Sequence, residues 1–319
     1  MSDDMRWFGR YLVTGGAGFL GSHLVDRLLD GGAETVWVLD NLSTGRTQNL
    51  RHAQERHGRR LRFIYGDVRE PWPEDTPVDG LFHLASVASP DDYLPRPIET
   101  LEVCSVGIAN AVEWAKRSGC RMLYTSTSEI YGDPQVHPQP EDYWGFCNPY
   151  GPRAGFDEGK RYAEAYMWAA QRDGLDGRMV RLFNAYGGRM KYDDGRVVAR
   201  FVGQALRGLP VTVFGDGQQT RSFCYIGDMV SGLLDVFASD ETRPVNLGTH
   251  EETSILDLAK LVINTTGSAS TIAFWHPREE EPTRRRPVTD RAHALGWKPH
   301  TDLASGILKT ADWVATQGD

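Results

Sequence analysis

The nine residues 13–21, VTGGAGFLG, constrain the fold more than any other stretch of the chain. Glycines recur at a GxxGxxG spacing between an apolar run at residues 11–14 and a segment, 19–30, with apolar residues at helical spacing. A strand, a glycine loop and a helix in that order suit a dinucleotide. Gly15 takes the tight turn, Gly18 lets the backbone approach a pyrophosphate at the helix N-terminus, and Gly21 lets the helix pack closely on the sheet. Phe19 and Leu20 follow in the same cradle. Asp40 ends the second strand-like run about 20 residues later, where a carboxylate accepts hydrogen bonds from an adenosine ribose. A carboxylate there repels a 2′-phosphate and favours NAD, while Arg46 keeps NADP open. Asn41, Ser43, Thr44 and Gly45 continue the cofactor loop. Asp67 and Val68 close the third strand, where Asp67 either meets the adenine or caps its loop. Leu84, Ala85 and Ser86 follow the fourth strand and line the middle of the cofactor.

Strand-like runs at 35–39, 61–65, 80–84, 121–126 and 179–183 alternate with helical runs, among them 98–118 and 155–173. This rhythm predicts an α/β fold, a doubly wound parallel sheet of Rossmann type. After about residue 186 the helices (197–207, 228–238, 255–265, 303–313) are joined by short strands and Gly/Pro-rich loops. The expected organisation is an NAD-binding domain over 1–186 and a smaller substrate lobe over 187–319, with interleaved segments allowed. Ligands of such sheets bind at the C-terminal edge of the strands, which the second lobe would close over.

A formal charge of −8 over 319 residues excludes a general attraction to nucleic acid or anionic membrane. A small anion would need a local cluster of arginines, for which Arg221 and the run Arg284, Arg285, Arg286 are the candidates. No run approaches the roughly 20 apolar residues of a membrane span. Residues 1–10 lack the apolar core of a signal peptide, so a cytoplasmic protein is expected. Cys104, Cys120, Cys147 and Cys224 show neither CxxC nor zinc spacing, which predicts free thiols and no metal site.

Four longer motifs carry the chemistry: STSEIYGDP at 126–134, HPQPEDYWG at 137–145, NPYGPR at 148–153 and DEGKR at 157–161. With them the chain resembles the extended short-chain dehydrogenase/reductases, and among these the UDP-glucuronate decarboxylases (UDP-xylose synthases), from about residue 10 to 313. The resemblance implies a Tyr-x-x-x-Lys pair on one helix face. The lysine holds the nicotinamide ribose and lowers the tyrosine pKa, so that a phenolate accepts the proton of the sugar 4-hydroxyl. Lys160 is present, but Phe156 stands where the tyrosine belongs, and a phenyl ring accepts no proton. Three readings stay open: an engineered Tyr→Phe change, a natural variant with Glu129 or Tyr150 as its base, and a descendant that only binds. Gly155, Tyr150 and Val87 also depart from the family's Cys, aliphatic residue and Pro.

The same resemblance implies further roles. Thr127 hydrogen-bonds the 4-hydroxyl, and Ser128 and Glu129 face the carboxylate end of the sugar. Dehydratases carry an Asp at the position of Ser128, so water elimination is disfavoured here. Arg285 pairs with the substrate carboxylate, unless the arginine run is a solvated turn. Asn184 and Arg221 hold the diphosphate, with Arg189 and Gln219 as further contacts. Val197, Val198, Thr212 and Phe214 form the uridine pocket, where Phe214 either stacks on the base or belongs to the core. The implied reaction oxidises C4 of UDP-glucuronate, releases CO2 and re-reduces C4 to give UDP-xylose, with NAD regenerated. The alternatives are 4-epimerisation of the same substrate and binding without turnover. A homodimer through the helices at 98–118 and 155–173 is expected, with Trp114 and Trp168 either on that surface or in the core.

Overall fold

The computed structural model describes residues 7–74, 76–191, 195–277 and 284–316; residues 1–6, part of the stretch read above for a signal peptide, lie outside the described residues. The chain runs β1 (Arg10–Thr14), α1 (Phe19–Asp30), β2 (Thr35–Asp40), α2 (Arg51–His57), β3 (Leu61–Tyr65), β4 (Gly80–His83), α3 (Pro90–Tyr93) and α4 (Pro97–Ser118). It continues through β5 (Arg121–Thr127), α5 (Ala154–Arg172), β6 (Gly177–Leu182), β7 (Asn184–Tyr186), α6 (Val197–Leu206), β8 (Val211–Phe214) and β9 (Thr220–Tyr225). The remainder is α7 (Ile226–Ala238), β10 (Val245–Leu247), β11 (Glu252–Ser254), α8 (Ile255–Thr266), β12 (Ile272–Trp275), β13 (Arg284–Arg285), α9 (Asp290–Ala294) and α10 (Leu303–Thr316).

Seven strands form one parallel sheet in the order β10-β6-β5-β4-β1-β2-β3. Its central strands are apolar at successive positions because helices cover both faces. Leu12 and Leu81 face α4 and α5 together with Ile108, Met122 and Met167. Val13 and Phe82 face the other side with Leu24, Leu28, Met229 and Leu233 of α1 and α7. Helix α4 has Pro97 in its first turn and ends on Gly119 at φ 63°, a left-handed C-terminal stop that a Cβ would disfavour.

The observed bounds track the expected ones closely; β6 begins at Gly177 instead of 179, and α7 at Ile226 instead of 228. The chain also crosses the expected division at 186. Strand β10 returns to pair with β6, and α7 packs under the sheet, so residues 226–247 belong with the first lobe. The second lobe has its own core of α6, α8, α10 and β8, built on Phe201, Val211, Leu258 and Ile307. A small sheet that the sequence pattern did not reveal, β11-β9-β13 with β7 on β9, joins the lobes and carries Arg285. Among the described residues no helix is long and apolar enough to cross a membrane, and no cluster of His, Cys, Asp and Glu could hold a metal. The four cysteines are free, three buried and Cys147 half-buried.

Candidate active site

A cleft of about 750 Å³ opens at the C-terminal ends of β1, β2, β4 and β5, walled on the far side by α6, β9 and β13. Every residue expected at the cofactor or substrate lines it except Thr212. Thr212 is buried against α6, where its hydroxyl accepts from Gln204 Nε2 at 2.8 Å, so the uridine-pocket role expected of it is corrected to packing. Phe214, two residues further along β8 and so on the same face, lies nearer the strand's end and does reach the cleft.

The glycine loop fits a dinucleotide. Gly15 holds φ +69°, and a Cβ on Gly21 would lie 2.2 Å from the Gly15 carbonyl oxygen, so α1 can sit this close to the loop only with glycine there. Asp40 accepts the Ala17 amide at 2.9 Å and the Leu42 amide at 2.8 Å, and burial pushes its carboxyl up against these two bonds. The Ser86 hydroxyl is buried in the cleft wall without a partner among the described residues, as a ligand-facing group would be. Asp67 is already spoken for. Arg69 and Asn41 bond its two oxygens at 2.8–2.9 Å, and the Arg69 hydrogen bond leads in holding its carboxyl down at about 2. An adenine contact through those oxygens would compete with an ion pair. Arg189 likewise lines the cleft, but its guanidinium pairs with Asp26 of α1.

The centre of the site is a charge cluster. A short turn after β5, Ser128–Tyr131, presents Glu129, whose amide donates to Thr127 Oγ1 at 3.2 Å. Arg285 bonds one oxygen of Glu129 and Arg153 bonds the other. Arg285, only 2% exposed, also donates to the Gly132 carbonyl at 2.9 Å, so it is a buried ion-pair partner and not a solvated turn. Burial opposes the charge on Glu129, but Arg285, Arg153 and then Arg221 outweigh it and hold its carboxyl below the usual range. Behind Arg153, 3.5 Å from its Nε, lies Asp157; burial and then Glu129 push that carboxyl up to about 7. The expectation that Glu129 replaces the missing base is thereby corrected, since a carboxylate clamped by two guanidiniums is a poor proton acceptor. Tyr150, the other candidate, is 95% exposed and lies outside the cleft.

Lys160 is fully buried one helical turn from Phe156, its ammonium 6.0 Å from that ring. It donates to the Thr125 carbonyl at 2.9 Å, and burial lowers its pKa. Phe156 stacks on Tyr93, with ring centroids 4.7 Å apart and planes 5° from parallel. Arg153 and Tyr93 were not singled out from the sequence. Arg153 did carry a signal: a cation entering the N-terminus of α5 opposes the helix dipole, which suggests another reason for its presence.

Fold and site together define a dinucleotide-binding protein whose second ligand is acidic. The chain belongs to the NAD dependent epimerase/dehydratase family, which matches residues 11–248. It is 47% identical to UDP-glucuronic acid decarboxylase 1 of Danio rerio over 310 residues, covering 97% of this chain and 73% of that protein. Its fold is similar to UDP-glucose 4-epimerase of Thermotoga maritima with UDP-glucose (TM-score 0.87, 30% identity, 96% and 99% of the two chains). It is also similar to dTDP-glucose 4,6-dehydratase of Streptomyces venezuelae with NAD and TYD bound (TM-score 0.86, 27% identity, 97% of each chain).

Proposed function

We propose that this protein decarboxylates UDP-glucuronate to UDP-xylose with NAD as its resident cofactor. The observation that carries the reading is the pairing of Arg153 and Arg285 around one carboxylate in a closed cleft. Two buried guanidiniums face the single charge of Glu129, and Asp157 beside Arg153 stays protonated below about pH 7, which leaves one positive charge for a substrate carboxylate in a chain whose net charge is −8. A neutral hexose would leave that charge unmatched in a buried site, which is costly.

NAD, when bound, supplies oxidation at C4 and the later reduction, so it is not consumed. The protein does the rest. Lys160 orients the nicotinamide ribose, and Thr127 holds the 4-hydroxyl. Arg285 and Arg153 fix the carboxylate, which lies β to the ketone once C4 is oxidised, so that its electrons pass into an enolate as CO2 leaves; C5 then takes up one proton from solvent before C4 is reduced. Ser128 is too weak an acid to expel a hydroxyl, which turns the site away from dehydration. Asn184, Gln219 and Arg221 hold the diphosphate and Val197, Val198 and Phe214 the uridine, with 187–319 contributing most of this lobe. Exposed Ile98, Leu101, Tyr162 and Trp168 on α4 and α5 form the surface on which two copies pair. Trp114, by contrast, belongs to the core: it is 2% exposed, and its indole N–H donates to the Pro73 carbonyl at 2.8 Å.

The test is incubation with UDP-glucuronate and NAD, with and without Phe156→Tyr. UDP-xylose and CO2 are expected, in larger yield from the variant by up to roughly 10²–10⁴. UDP-galacturonate without CO2 would make the protein an epimerase, and binding with no product from either form would make it a binding protein.

A further inference from the structure

With phenylalanine at 156, the proton of the 4-hydroxyl needs another hydroxyl in the cleft to receive it. Glu129 is clamped between guanidiniums and Tyr150 is outside. The Thr127 hydroxyl already accepts the Glu129 amide. Ser86 has no hydrogen-bond partner among the described residues, but an aliphatic hydroxyl is too weak an acid to hold the charge. Tyr93 remains. It ends α3, lines the cleft, is 3% exposed, and lies flat against Phe156. Its hydroxyl is buried with no hydrogen-bond partner among the described residues. A buried phenol in that state costs free energy unless a ligand satisfies it. The ring keeps a cation beside it, the Arg153 guanidinium carbon 5.9 Å from its centroid.

We propose that Tyr93 carries the acid–base hydroxyl which residue 156 lacks, and is the catalytic proton acceptor for the sugar's 4-hydroxyl. The proposal rests on the UDP-glucuronate reading above. The resting phenol first releases its proton to water. The phenolate then takes the proton of the 4-hydroxyl as the C4–H bond breaks and its hydride passes to NAD. When hydride returns to C4, the phenol gives that proton back to the oxygen, so Tyr93 and NAD end the cycle as they began it, and the one proton taken up is that which C5 gains as CO2 leaves. Four charged groups bear on Tyr93: Arg153 and Arg285 favour the phenolate, while Glu129 and Asp157 oppose it. Burial is the largest influence and also opposes it. Activity through Tyr93 therefore climbs into alkaline pH, whereas a tyrosine at 156, beside Lys160, ionises at lower pH.

Four proteins test this: wild type, Tyr93→Phe, Phe156→Tyr and the double variant, with product formation followed across pH and UDP-glucuronate affinity by calorimetry. Tyr93→Phe keeps the stacked ring and so the fold. It is expected to lower kcat by roughly 10²–10⁴ with little change in affinity, and Phe156→Tyr in that background to restore turnover with its alkaline limb moved to lower pH. Wild-type rates in Tyr93→Phe, failure of the rescue, or loss of affinity in Tyr93→Phe would each overturn the role. So would a wild type that binds UDP-glucuronate yet makes product only with tyrosine at 156, and that result leaves the substrate reading standing. A wild type that does not bind UDP-glucuronate overturns the substrate reading itself.

Discussion

Replacing Arg285 by methionine removes one of two guanidiniums from a shared carboxylate and leaves a side chain of similar reach. Arg285 is almost wholly buried and the Glu129 side chain is 19% exposed, so little solvent screening applies. Breaking a buried pair from one side costs about 3–5 kcal/mol, because the remaining charge is left without its partner. Arg153 still holds the other oxygen, which places the expected loss near the lower end, about 3 kcal/mol. In a protein of 319 residues that is a fall in Tm of about 4–5 °C. Glu129→Gln together with Arg285→Met removes both charges of the pair but leaves Arg153 only Asp157, 3.5 Å from its Nε, so the double variant should lose less than the two single losses added together. Urea melts of the four proteins give the coupling directly, expected at about 2–3 kcal/mol. In calorimetry, UDP-glucuronate should bind Arg285→Met roughly 10- to 150-fold more weakly, the worth of one charge-assisted hydrogen bond, while UDP binds as before. A coupling below about 0.5 kcal/mol, or equal losses for UDP and UDP-glucuronate, would refute a buried pair that reads the sugar carboxylate.

Gly21→Ala should weaken NAD by roughly 10- to 100-fold while sparing UDP, since its Cβ must push the Gly15 carbonyl from 2.2 Å and overpacking of this kind costs about 1–3 kcal/mol; fluorescence titration with NADH reads it. Asp157 has a folded pKa raised to about 7, so its stabilising contribution is full below its unfolded value near 3.8 and lost as pH rises through 7. Asp157→Asn should therefore gain on the wild type in Tm between pH 4 and 8, and a constant difference across that range would contradict the shift. Trp168→Glu, at a 62% exposed site on α5, should convert a dimer into a monomer in light scattering; a wild type that is already monomeric at micromolar concentration would remove the proposed interface.

The glycine loop, the alternation of apolar runs and the motifs around residues 126–161 were enough to determine a doubly wound sheet, its cofactor edge and about half of the lining of the cleft. These features are local. A positive φ, a period of two or 3.6, or a glycine against a neighbouring carbonyl is written in a few adjacent residues. Tertiary structure alone decided which side chains meet. Arg285 reaches Glu129 across 156 positions because the two-residue strand β13 pairs with β9, a strand too short to leave a periodic trace. Asp67 looked open to adenine until Arg69 and Asn41 closed on it, and Thr212 was taken up by Gln204 of α6. Glu129 lost its standing as a base only when two guanidiniums were found beside it. Tyr93 was unremarkable in the sequence and became a candidate once its ring lay on Phe156 with a buried, unsatisfied hydroxyl. Proton affinity depends on the charges and solvent that packing places around a group, and residue order does not contain that placement.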